Sequence, residues 1–174
     1  PSSWDLHLTE AERKVGHEIV ASLSNKPYIA VNMGGKVAIN DWGLPNWQKL
    51  FAALKQDYGK YGLLVIGAEL DFERGQEVLS RWDGPKANAS GKLSPRESAA
   101  ALEKAALFIG HDSGPMHLAA AMGVPTIGLF GENNPPNKWH PYGIRNHAIH
   151  RMTGVLSITV DEVETVVRSM LPTQ

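Results

Sequence analysis

Cysteine is absent from the 174 residues. No disulfide framework and no thiolate-bound metal can therefore belong to this chain, and the composition fits a reducing cytoplasm. Long apolar runs are also missing. None approaches the ~18 residues of a membrane-crossing helix, so no transmembrane segment is expected. Net charge is small, with 17 Lys and Arg set against 18 Asp and Glu. No basic cluster stands out, which argues against nucleic acid as a partner. There is no internal repeat and no low-complexity linker. A single domain is expected, spanning residues 1–174 and large enough to bury its own core. The chain begins at Pro1 rather than Met, which reads as a processed protein or a fragment of a longer one.

Present instead is an alternation of short apolar runs with helical patterns. Strands are expected at Tyr28–Asn32, Leu63–Gly67, Leu107–Ile109 and Thr126–Phe130, with further short ones at Ala87–Ser90 and His147–His150. Thr9…Glu12, Ser94…Glu97 and Thr159…Glu162 are capping boxes, each followed by a helix. Pro45 opens another helix, with Trp47, Leu50, Phe51, Leu54 and Tyr58 on one face. Further helices are expected from Phe72 to Trp82, from Pro95 to Ala106 and from Met116 to Met122. This order predicts a Rossmann-like, doubly wound parallel α/β sheet. In such a sheet the loops at Gly34–Lys36, Ala68–Asp71, Ser90–Leu93, His111–Pro115 and Gly131–Gly143 all fall beyond the strands' carboxyl ends.

The most informative stretch is Leu107–Gly131, a strand–turn–helix–strand unit. At its turn, Asp112-Ser113-Gly114 meets a helix start. Unpaired N–H groups and the positive end of the helix dipole converge there, so an anion is the natural ligand. The plain alternative is a helix cap and tight turn with no ligand. Three catalytic readings fail on spacing or fold. A nucleophile elbow would need Gly where His111 and Pro115 stand. A trypsin-like Asp-Ser-Gly belongs to an all-β protein. A phosphate loop at Gly91-Lys92 would need Ser or Thr at Leu93 and Gly at Lys86. No G-x-G-x-x-G follows the first strand, which disfavours a dinucleotide fold. Lys36, in a Gly-rich loop, is either a phosphate counter-charge or a solvated surface residue. Glu69, at a strand's carboxyl end, is placed to accept from a ribose hydroxyl. His117 is either a neutral donor beside the anion site or a structural histidine. Trp42 and Trp47 read as core, and His147 and His150 as surface.

Taken together, several segments resemble glycosyltransferase family 9, the ADP-heptose:lipopolysaccharide heptosyltransferases. They are Gly35-Lys36, Asn40-Asp41-Trp42-Gly43, Asn46-Trp47, Ile66-Gly67-Ala68-Glu69, Ser90-Gly91-Lys92-Leu93-Ser94 and Asp112-Ser113-Gly114-Pro115-Met116-His117-Leu118-Ala119-Ala120-Ala121. Leu129-Phe130-Gly131 and Lys138-Trp139-His140-Pro141-Tyr142-Gly143 continue the match in order, over nearly the whole chain. The resemblance implies the GT-B architecture, with this chain as the carboxyl-terminal, donor-binding half. It implies that Ser113, Gly114 and the following helix start, with Pro115, hold a pyrophosphate, with Lys36 as counter-charge. Glu69 would meet the ribose, Leu93 would pack near the adenine, and Asp112 and His117 would shape the turn or touch the donor sugar. The implied reaction is inverting transfer of heptose from ADP-heptose to the lipopolysaccharide core, without a metal or other cofactor; the alternatives are a GT-B domain for a UDP- or GDP-sugar and a stand-alone nucleotide-binding module without catalysis. The general base would come from an amino-terminal domain, so no catalytic residue is assigned here. The implied place of action is the cytoplasm, with room for peripheral contact at the inner membrane. Two positions depart from many relatives, Asn40-Asp41 before the Trp and Glu132 after the Leu-Phe-Gly.

Overall fold

All the apolar runs fold as strands of one sheet. The computed structural model describes residues 5–34, 38–131 and 145–173. The strands are β1 (Tyr28–Asn32), β2 (Gly62–Val65), β3 (Lys86–Asn88), β4 (Leu107–His111), β5 (Thr126–Phe130) and β6 (Asn146–His150). Between them lie α1 (Glu10–Ala21), α2 (Leu44–Tyr58), α3 (Phe72–Leu79), α4 (Pro95–Leu102), α5 (Gly114–Ala121) and, after β6, α6 (Val160–Met170). Every strand pair is parallel, in the order β3-β2-β1-β4-β5-β6. This is the doubly wound Rossmann-like order, and its direction of winding reverses between β1 and β4.

Helices cover both faces, which is why the inner strands carry continuous rather than alternating apolar residues. Ile29 and Val31 of β1 point into a core with α2, α3 and α6, where Trp47, Leu50, Leu54, Val163 and Val167 are fully buried. Tyr28 and Ala30 point the other way, to Ala101 and Leu102 of α4 and to Met116 and Ala119 of α5. α1 lies outside α4, held by the Arg13–Glu103 and Arg96–Glu12 ion pairs. Trp42 and Trp47 are core residues, stacked edge to face at 4.9 Å. His147 is exposed, whereas His150 is half-buried against the Phe130 ring at 5.8 Å.

All three predicted capping boxes form, each with its reciprocal pair of bonds. Several boundaries differ from expectation. α4 stops at Leu102 rather than Ala106, because the Ala106 N–H is taken by the Tyr28 carbonyl as the chain enters the sheet. α3 stops at Leu79, after which the Trp82 indole turns in to donate to the Tyr61 carbonyl. β4 runs on to His111, which pairs in register with Leu129, and α5 therefore starts at Gly114 rather than Met116.

Candidate donor site at the sheet's switch point

Parallel strands that all end on one edge leave a crevice where the winding reverses, here between β1 and β4. Asn32, at the end of β1, is buried at this point. Its Nδ2 donates to the Ile66 carbonyl at the end of β2 (2.9 Å), and its Oδ1 accepts from the Ser113 hydroxyl (3.2 Å). One side chain thus joins the carboxyl ends of β2 and β1 to the β4–α5 turn.

The turn itself is built unlike an ordinary cap. Ser113 occupies the N-cap position of α5, yet its hydroxyl makes no capping bond and turns back to Asn32 and the His111 carbonyl. Pro115 has no N–H, and the His117 N–H is taken by the Ser113 carbonyl. The Gly114 and Met116 N–H groups find no acceptor among the described residues. Gly114 is exposed, its backbone is not left-handed, and a methyl group added there would meet nothing within 4 Å. Neither strain nor packing among the described residues requires glycine there. Asp112 is half-buried and faces the exposed His117, with Oδ1 3.4 Å from Nε2.

Glu69 is exposed and opens a single 3-10 turn after β2. The loop after β3 leans on it. Gly91 is left-handed at φ +75°, and an added Cβ would come within 2.7 Å of the Glu69 Cα, so only glycine fits. The Gly91 N–H donates to the Gly67 carbonyl at 2.8 Å, holding the two loops together. Leu93, half-buried, packs against the core beneath α4 and α5. Glu69 and Leu93 thus belong to two loops joined on the β2–β3 side, and Asp112, Ser113, Gly114, Pro115 and His117 form a second group on the β4 side. Asn32 spans the two. Lys36, Glu132 and the Lys138–Gly143 segment lie outside the described residues.

Four residues of this region carry no motif signal in the sequence: Asn32, Asp71, Arg74 and His111. Asp71 caps the β2 exit by accepting from the Ala68 N–H at 3.0 Å, and a side chain at Gly34 would run into its carboxylate. Asp41 receives both ends of the Arg74 guanidinium, at 3.0 and 3.2 Å, and the Gly43 N–H at 2.9 Å. Burial pushes the Asp41 carboxyl up, but Arg74 and the Gly43 N–H outweigh it and hold it below the usual carboxylate range. The Asp41 departure is therefore a structural ion pair in this chain. His111 is fully buried, with the Trp42 N–H donating to its Nε2 at 3.0 Å and the Gly34 carbonyl 3.3 Å from its Nδ1. Those partners require the neutral tautomer with the proton on Nδ1. Burial, above all, keeps its pKa below the ordinary histidine value.

Among the described residues no group of three or more His, Asp or Glu is placed to hold a metal, and no helix is long and apolar enough to cross a membrane. A separate hollow of about 420 Å³ opens between β6 and α6, lined by His147, Ile149, Arg151 and Glu162 among others. It lies at the outer edge of the sheet, and none of the predicted site residues line it.

Comparison with known proteins adds an independent line. Lipopolysaccharide heptosyltransferase 3 of Escherichia coli is 47% identical over 133 residues, covering 75% of this chain and 36% of that protein. A glycosyl transferase family 9 structure from Veillonella parvula superposes with a TM-score of 0.83 at 22% identity, over 97% of this chain and 54% of that one. The E. coli ADP-heptose lps heptosyltransferase II gives 0.77 at 20% identity, over 94% and 52%. At such identities these two structures establish a shared fold. The chain spans 36–40% of the length of the curated relatives it matches. The family model of glycosyltransferase family 9 (heptosyltransferase) matches residues 1–160, and the chain belongs to that family.

Proposed function

We propose that this chain is the donor-binding half of an inverting heptosyltransferase of lipopolysaccharide core biosynthesis, with ADP-heptose as donor. The observation that carries the reading is the α5 start. The Gly114 and Met116 N–H groups have no acceptor among the described residues, and packing among those residues does not require the glycine. Such a helix start suits a pyrophosphate. In this reading Ser113 and Gly114 cradle the diphosphate and Pro115 holds the first turn of α5. Lys36 adds positive charge, Glu69 takes the ribose and Leu93 lies by the adenine. Asp112 and His117 border the sugar. As ADP departs, negative charge grows on the phosphate, and preset N–H groups favour that state over the ground state. The scheme draws this charge stabilisation from N–H groups and a lysine rather than from a metal. The acceptor and the general base sit on the opposite wall of a GT-B cleft, in an amino-terminal domain. The reading includes a cytoplasmic location with peripheral contact at the inner membrane.

The test is a nucleotide panel. ADP, UDP and GDP are compared by thermal shift and calorimetry on the chain, with and without EDTA. ADP is expected to raise the melting temperature most, unchanged by the chelator. A preference for UDP or GDP would replace the donor, and no response to any diphosphate would leave a domain without the proposed site.

A further inference from the structure

Gly34 and Trp42 follow β1 and lie far in sequence from the turn that follows β4. His111 is where they are joined. Its Nε2 accepts from the Trp42 N–H (3.0 Å) and its Nδ1 faces the Gly34 carbonyl (3.3 Å), so one ring holds both residues. The ring is itself wedged against Trp47, edge to face at 5.4 Å, and is fully buried. In the chain it directly precedes Asp112 and Ser113, and its own carbonyl receives the Ser113 hydroxyl at 3.3 Å. Any shift of the ring therefore moves the turn and the β1 segment relative to each other.

We propose that His111 is a positioning residue of the donor site, tying Gly34 and Trp42 to the Asp112–Gly114 turn so that the turn is held in place to receive a diphosphate. The inference rests on the donor-site reading above. A purely apolar ring would fill the same space but leave the Trp42 N–H and the Gly34 carbonyl without their partner, at a buried position where neither can turn to water. A charged imidazole would fail differently. With protons on both nitrogens, Nε2 would meet the Trp42 N–H donor to donor. Burial and Arg74 oppose that charge, the Gly34 carbonyl, Asp41 and Asp71 favour it, and burial prevails, so the ring stays neutral.

The experiment measures ADP by calorimetry and adenosine by ligand-observed NMR on four proteins: the parent, His111→Phe, His111→Asn and His111→Gln. Phe keeps the ring and loses both bonds. Asn keeps a donor near Gly34, and Gln keeps an acceptor near Trp42. ADP binding is expected to weaken about tenfold in the Phe variant, with adenosine within about twofold of the parent, because only the diphosphate rests on the turn that His111 braces. The Asn and Gln variants should fall between. Should the Phe variant not fold, the Asn and Gln variants decide the matter. Equal losses for ADP and adenosine, or ADP binding like the parent's in every folded variant, would overturn the assignment. A parent that binds no ADP would instead remove the donor site itself, and His111's role with it.

Discussion

Replacing Gly114 by valine separates a ligand-binding turn from an ordinary one. The described structure tolerates the change. A Cβ at position 114 meets nothing within 4 Å among the described residues, the backbone there is not left-handed, and the residue is exposed. Stability should therefore move by no more than about 0.5 kcal/mol, as for surface substitutions without a special feature. Binding should not tolerate it. The Gly114 and Met116 N–H groups have no acceptor among the described residues, and a hydrogen bond to a charged acceptor contributes roughly 1.5–3 kcal/mol. Branched methyls in front of both donors would hold phosphate away, removing about 3 kcal/mol, or on the order of 100-fold in affinity. Gly114→Ala, with a single methyl, should lose less. The assay pairs urea denaturation with ADP calorimetry on all three proteins. A valine variant that is folded and binds ADP within about twofold of the parent would refute the placement of the anion site.

Three further expectations follow from other parts of the molecule. Lys36→Ala should weaken ADP by roughly 1–3 kcal/mol while sparing adenosine, because a charge-assisted bond to phosphate is lost; equal losses would show that this lysine does not meet phosphate. Gly16→Leu should lower the urea midpoint by the equivalent of about 1–3 kcal/mol, since even a Cβ would lie 2.6 Å from the Ala100 Cβ and 2.7 Å from the Ala101 nitrogen; an unchanged midpoint would mean that α1 does not pack on α4 as described. Acid should destabilise the chain through His111, whose folded pKa lies below 6.5. Below 6.5 the unfolded chain binds a proton that the native state refuses, so this contribution is complete above that pH and is lost as pH falls; unfolding curves at pH 8, 6.5 and 5.5 should show it, with a smaller slope in His111→Gln.

Much of this could be read along the chain because its signals are local. Thr9, Ser94 and Thr159 each find their partner three residues on, so the capping boxes were legible and all three form. Apolar runs bounded by Gly and Pro marked the strands, and their alternation with helical stripes pointed to the parallel sheet. The Asp112–Gly114 turn and its family resemblance were legible for the same reason, being contiguous. Helix ends were less so, since Ala106 and Trp82 donate to the Tyr28 and Tyr61 carbonyls in bonds that no helical pattern announces.

What the folded molecule alone decided is which distant segments share the crevice. The strand order that places β1 beside β4 puts Asn32 against Ser113 across 81 positions, and His111 against Gly34 and Trp42 across 77 and 69. Asp41 finds Arg74 across 33 positions, so a residue that departs from the family pattern becomes half of an ion pair. None of these pairings has a spacing or composition to betray it, because a buried polar group selects its partner by proximity after the sheet has assembled. The sequence by itself determined the layers, the caps and the chemistry of one turn. Tertiary packing determined how that turn is braced, because bonds that close long loops depend on the strand order and not on any local preference of the chain.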